Sequence, residues 1–143
     1  EADVEKAYDL LRMMEISEYA NVYPKQLSGG QQARVSIARA LVTSPKLLFM
    51  DEPFAALDAL TKEELQNDLL RLCEQEEMTV LFITHDIQEA VYLADEITVM
   101  NKGRLASSFK NKRSGIEHPE YRYSPMFIEL CREVRQELER EKQ

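Results

Sequence analysis

Two unbroken apolar runs, Leu47-Leu48-Phe49-Met50 and Thr79-Val80-Leu81-Phe82-Ile83-Thr84, constrain this chain more than any other feature. Neither alternates apolar with polar residues, so each predicts a strand buried on both faces, as in parallel sheets. Between them, Thr61-Lys62-Glu63-Glu64 reads as a capping box, and Leu65, Leu69, Leu72 and Cys73 form the apolar stripe of a helix. Asp86 to Glu89 then cap a short helix with Ile87, Ala90, Val91 and Ala94 facing inward. Ile97-Thr98-Val99-Met100 predicts a third strand, and Asn101-Lys102-Gly103 a turn into a fourth strand at the edge. Strand–helix–strand–helix–strand implies an α/β chain of parallel strands joined by crossover helices. Ligands of such sheets gather at the carboxyl ends of strands, where Asp51-Glu52 and His85 each follow an apolar run.

The flanks read as helices. Residues 3–14 carry Val4, Ala7, Leu11 and Met14 on one face. Pro24 breaks the chain before a helix from Gln31 to about Val42, with Val35, Ala38, Leu41 and Val42 as its stripe and Pro45 beyond its end. Residues 110–120 read as a loose linker, and Ser124-Pro125 opens a C-terminal helix. Its Phe127, Cys131, Val134 and Leu138 suit a seam for a partner helix or, the reading favoured here, packing on the chain's own layers.

Charge narrows the functions. The 143 residues hold 18 Lys+Arg against 26 Asp+Glu, a net −8, which argues against nucleic-acid binding through bulk positive charge. The basic Lys110-Asn111-Lys112-Arg113 cluster reads as solvated linker. No apolar run approaches the roughly 18 residues that span a bilayer, and the first residues form no signal-peptide core. Cys73 and Cys131 read as reduced helix residues of a cytosolic protein.

Leu27-Ser28-Gly29-Gly30-Gln31 stands directly before a helix. Two glycines admit a close ligand, and the helix amides with their dipole favour an anion such as a terminal phosphate. Ser28-x-x-Gln31 equally spells a capping box. Adjacent strand residues point to opposite sides, so one of Asp51 and Glu52 can address Mg²⁺ while the other addresses an attacking water. In isolation His85 would be a structural hydrogen-bonder and Asp58 a helix N-terminal acid.

Their order changes that. Tyr23-Pro24-Lys25-Gln26-Leu27-Ser28-Gly29-Gly30-Gln31, then Leu47-Leu48-Phe49-Met50-Asp51-Glu52, then Ala56-Leu57-Asp58, then Thr84-His85-Asp86 resembles the ATP-binding-cassette (ABC) ATPases over residues 20–105. These segments are similar to that family's signature motif, Walker B with its catalytic glutamate, D-loop and switch histidine. Asp51 to Thr61 and Thr84 to Ala90 resemble the importer subunits of the nitrate/sulfonate/taurine group, as does, less specifically, Tyr123 to Leu130. Ala33 departs from the pattern, where a second glutamine is common, while Arg34 is retained.

The resemblance implies that Ser28, Gly30 and Gln31 contact the γ-phosphate of an ATP held mainly by a second ATPase subunit, with Gly29 shaping the turn. It implies Asp51 supporting Mg²⁺ through water, Glu52 polarising the attacking water, His85 holding the γ-phosphate and that water, and Asp58 linking the two sites of the dimer. The implied partners are that second subunit, a transmembrane permease and, indirectly, a substrate-binding protein delivering a small anion. The implied location is the cytoplasmic face of the membrane, peripheral through the permease, with no nucleic acid involved.

The four glycines fall in no Gly-x-x-x-x-Gly-Lys-[Ser/Thr] frame, so the phosphate-cradling P-loop is absent from these residues. The chain therefore resembles a partial P-loop NTPase core of the ABC type. Residues 1–45 correspond to part of the helical subdomain, 46–110 to the C-terminal part of the ATPase core, and 111–143 to a linker and C-terminal helix. Alone, such a chain is expected to bind ATP weakly or not at all, to turn it over negligibly, and to oligomerise or rearrange its strand edges. The alternative is a truncated, non-catalytic interaction module that lends its signature face to a partner's ATP site. A DNA-repair ABC ATPase ranks low, since no long coiled-coil insertion is present.

Overall fold

The computed structural model describes residues 2–113 and 116–140. Its elements run α1 (Ala2–Met13), α2 (Gly29–Leu41), β1 (Leu47–Asp51), α3 (Ala59–Glu76), β2 (Thr79–Ile83), α4 (Ile87–Leu93), β3 (Glu96–Asn101), β4 (Arg104–Lys110), α5 (His118–Tyr121) and α6 (Pro125–Arg140). The chain divides into two units, Glu1–Leu81 and Phe82–Gln143.

In the first unit the helices form where the periodicity predicts, with their buried stripes displaced. α1 turns Leu10 and the following Met14 inward, whereas Val4 is 59% exposed. α2 buries Ile37, Ala38 and Leu41, while Val35 and Val42 are only half-buried. β1 and β2 are neighbours in a parallel sheet with α3 as the connection between them, the β–α–β unit the apolar runs imply. Burial corrects one expectation. Leu48 and Met50 are buried, but Leu47 and Phe49 on the opposite face of β1 are 48% and 67% exposed, and Leu81 of β2 is 51% exposed. The unit covers one face of this sheet and leaves the other apolar face bare.

The start of α3 is also corrected. Asp58, in extended backbone at φ −65° and ψ 162°, is the N-cap; Thr61 already lies within the helix. An aspartate three residues ahead of a threonine supplies a carboxylate acceptor for the first-turn amides, so the helix begins earlier than a Thr61 cap would allow. α3 ends at Glu77, whose left-handed φ of 47° closes the last turn.

Arg34 of α2 ties the three helices together. Its guanidinium donates to the Met14 carbonyl at 2.9 Å and pairs with Asp68 of α3, whose side chain is 8% exposed. Arg71 also pairs with Asp68, and Glu64 lies 3.9 Å from the Arg34 guanidinium.

In the second unit Asp86 caps α4 as expected, accepting the Gln88 and Glu89 amides at 3.0 and 3.2 Å. β3 pairs with β4 as an antiparallel hairpin rather than extending the parallel sheet. Its turn uses two left-handed residues, Lys102 at φ 46° and Gly103 at φ 75°, a combination that matches the twist of a tight hairpin. α6 packs on α4 and β3, so the seam residues Phe127 and Val134 face the chain's own unit.

The reading of Lys110 to Arg113 as solvated linker is overturned. Asn111 donates its side-chain amide to the carbonyls of Val91 and Ala94 at 2.6 and 2.9 Å, and its carbonyl accepts the Tyr121 hydroxyl at 2.5 Å. Arg113 donates to the Tyr92 carbonyl at 3.0 Å and pairs with Asp95. These groups satisfy the orphan carbonyls at the end of α4, which a mobile linker could not do. Ser114 and Gly115 of the expected linker lie outside the described residues. Both cysteines are free, and burial, with the Asp86 charge adding to it, pushes the Cys131 thiol up to about 11.

Candidate functional site

α2 begins with a closed capping box. The Ser28 hydroxyl accepts the Gln31 amide at 3.2 Å, and the Gln31 side-chain oxygen accepts the Ser28 amide at 2.9 Å. The box engages the third amide of the helix and leaves Gly29 and Gly30 leading it. No acidic residue stands in this first turn. The capping and anion-site readings of this segment are therefore compatible.

Asp51 is the last residue of β1 and is exposed. Glu52 follows with φ 47°, in the left-handed region. Among the described residues, four other non-glycine residues share that region. Glu15, Ser44 and Glu77 follow helices and Lys102 turns a hairpin, all places where chains bend this way. Glu52 instead leaves a strand, and the strain there is of order 1 kcal/mol. The turn is anchored by Phe54, which is fully buried. Asp51 and Glu52 thus stand on differently directed backbone at the carboxyl end of β1.

Asp58 accepts two bonds from Thr61, from its amide at 3.1 Å and from its hydroxyl at 2.6 Å. The Thr61 hydroxyl, then its amide, hold the Asp58 carboxyl below its ordinary value of 3.8. The Ser28 and Asp58 turns meet through the glycines. A Cβ on Gly29 would lie 3.4 Å from Leu57 Cδ2, and one on Gly30 would lie 2.6 Å from Thr61 Cγ2. The first unit therefore brings Ser28, Gly29, Gly30 and Gln31 against the Asp58 turn, with Asp51 and Glu52 seven and six residues earlier on the same connection. His85 belongs to the second unit, exposed between β2 and α4, where the Asp86 amide donates to the Thr84 hydroxyl at 3.0 Å. Sequence reasoning overlooked Thr61 as the partner of Gly30; the Asp58-x-x-Thr61 spacing was the available signal.

A hard divalent cation would find one well-exposed carboxylate at Asp51. Among the described residues no group of three or more His, Cys, Asp or Glu gathers. A cation there would draw most of its oxygens from water and phosphate, which suits Mg²⁺.

A family model described as ABC transporter matches residues 1–55. An ABC transporter ATP-binding protein of Methanocaldococcus jannaschii is 42% identical over 133 residues, spanning 92% of this chain and 49% of that protein. The chain belongs to the ABC transporter ATP-binding family. The aliphatic sulfonates import ATP-binding protein SsuB of Bacillus cereus is another relative, 39% identical over 94% of this chain and 53% of its own length. A solved ATP-binding cassette of an ABC transporter in its ADP conformation aligns with a TM-score of 0.73 at 30% identity, covering 91% of this chain and 50% of that one. The chain thus spans about half the length of these ABC relatives. No helix among the described residues is long and apolar enough to cross a membrane.

Proposed function

We propose that this chain forms one wall of the composite ATP site of an ABC importer and, within the complete subunit, carries the groups that drive hydrolysis. The strained φ of 47° at Glu52, directly after an exposed carboxylate on a strand end, is the observation that carries this reading. Backbone strain of that kind persists where a side chain must be aimed.

In this reading Ser28, Gly29, Gly30 and Gln31 present amides and a hydroxyl to the γ-phosphate of ATP held by the opposite subunit. Asp51 holds water of the Mg²⁺ shell, and the ion supplies charge neutralisation at the phosphates. Glu52 accepts the proton of the attacking water, His85 donates to the γ-phosphate, and Asp58 links the paired sites. Residues 1–45 act as part of the helical subdomain, 46–110 as part of the ATPase core, and 111–143 as connector and C-terminal helix. The partners are a second ATPase subunit and a transmembrane permease, with a substrate-binding protein acting through it, at the inner face of the membrane. The solute is a small anion; a sulfonate is supported by the SsuB relative, and nitrate and taurine belong to the same class. The bare face of Leu47, Phe49 and Leu81 fits a sheet completed by further cassette residues.

The test is Glu52→Gln in the complete subunit. Hydrolysis should fall at least a hundredfold while ATP binding persists. Unchanged turnover would remove Glu52 from its role, and a complete natural product without a P-loop would favour the non-catalytic module.

A further inference from the structure

Resting on the reading of Ser28–Gln31 and Asp58 as parts of a nucleotide site, we propose that Thr61 is a positioning residue that locks the Ser28–Gln31 turn to the Asp58 turn within one chain, with Gly30 as its socket. Thr61 uses both branches of its side chain. Its hydroxyl donates to Asp58 Oδ2 at 2.6 Å, and its methyl lies where a Cβ on Gly30 would come within 2.6 Å. A threonine has few χ1 wells, so the bond to Asp58 selects the rotamer and the rotamer aims the methyl. Neither half suffices alone. Serine keeps the hydroxyl and loses the contact; valine keeps the contact and loses the bond.

The glycine at position 30 thereby has a reason independent of any phosphate. α2 is an ordinary right-handed helix there, and Gly30 carries no left-handed φ. What excludes a side chain is the first turn of α3. Gly29 adds a second, looser contact, with its Cβ position 3.4 Å from Leu57 Cδ2. The capped starts of two helices are thus pressed together, each through its own cap. A displacement of the Asp58 turn is transmitted through the Thr61 methyl to the amides of Gly29 and Gly30. The turn facing one nucleotide would then report on the residue that links the two sites.

The experiment is a set of variants in the complete subunit: Gly30→Ala, Thr61→Ser, and the two combined. Alanine at 30 collides with the methyl unless Thr61 turns away and releases Asp58. Gly30→Ala should therefore lower Tm by about 5 °C and move the Asp58 carboxyl titration, read by carbon-13 NMR, up towards 3.8. Adding Thr61→Ser removes the methyl while keeping the hydroxyl. The pair should return both Tm and the Asp58 titration to the values of Thr61→Ser alone. A merely structural cavity would not restore the titration of a carboxylate on another element. Overturning results are a double variant as impaired as Gly30→Ala, or a Gly30→Ala protein with unchanged Tm and Asp58 titration. If Gly30→Ala fails to fold, folding of the double variant supports the lock and its failure to fold overturns it. None of these readouts requires hydrolysis, so they stand apart from the Glu52→Gln test.

Discussion

Glu52 holds a conformation that glycine would adopt without strain, and it follows a strand rather than a helix end or a hairpin turn. Glu52→Gly should raise the unfolding free energy by up to about 1 kcal/mol, read by urea melts, while removing the carboxylate proposed to accept the water's proton. Glu52→Gln should abolish turnover with no such gain. At Asp58 the Thr61 bonds lower the carboxyl value in the folded state. Its stabilising contribution is therefore present above the unfolded value of 3.8 and is lost as pH falls through the lowered folded value. Thr61→Val removes the larger of the two causes, so the Asp58 titration should rise and the acid limb of the stability curve should flatten below about pH 4. Carbon-13 titration of the carboxyl, with melts across that range, checks both. These residues were legible as candidates because they stand at strand and helix ends. The backbone angle at Glu52 was not, since no residue pattern announces a left-handed glutamate directly after a strand.

Apart from α5, which falls at the end of the expected linker, the helices formed where their apolar periods announced them, yet the buried stripe of α1 and α2 shifted by a residue or so. A period fixes the side of a helix only relative to itself; the neighbours decide which arc is covered. α2 illustrates this, because its orientation is held by a polar residue. Arg34 reaches the Met14 carbonyl and the Asp68 carboxylate, and Asp68 is 6% exposed. Arg34→Met should destabilise the first unit by up to about 3 kcal/mol, since it leaves the buried Asp68 carboxylate to the exposed Arg71. Arg34→Met combined with Asp68→Leu should recover most of that loss. Chemical denaturation of the single and double variants measures the difference. No local pattern marks such a pair: the partners are 34 residues apart and each alone resembles an ordinary surface charge.

At the scale of the molecule, the apolar runs correctly announced a parallel β–α–β unit and wrongly announced burial on both faces. Composition records that a strand is suited to two covered faces; it does not record whether the covering residues are among these 143. Leu47, Phe49 and Leu81 remain on the bare side, and such a face promotes association of like chains. Sedimentation of the isolated chain should show concentration-dependent self-association, reduced by Phe49→Lys at a cost below about 1 kcal/mol in stability. A concentration-independent monomer would contradict this. The second unit carries a different liability in Asn111, whose amide nitrogen faces two carbonyl oxygens and whose oxygen receives a phenol. An aspartate at this position would set a negative oxygen against those carbonyls, and α4 would lose its C-terminal clasp. The order of that helix end thus hangs on a single side-chain amide, and Asn111→Asp should melt below the parent protein.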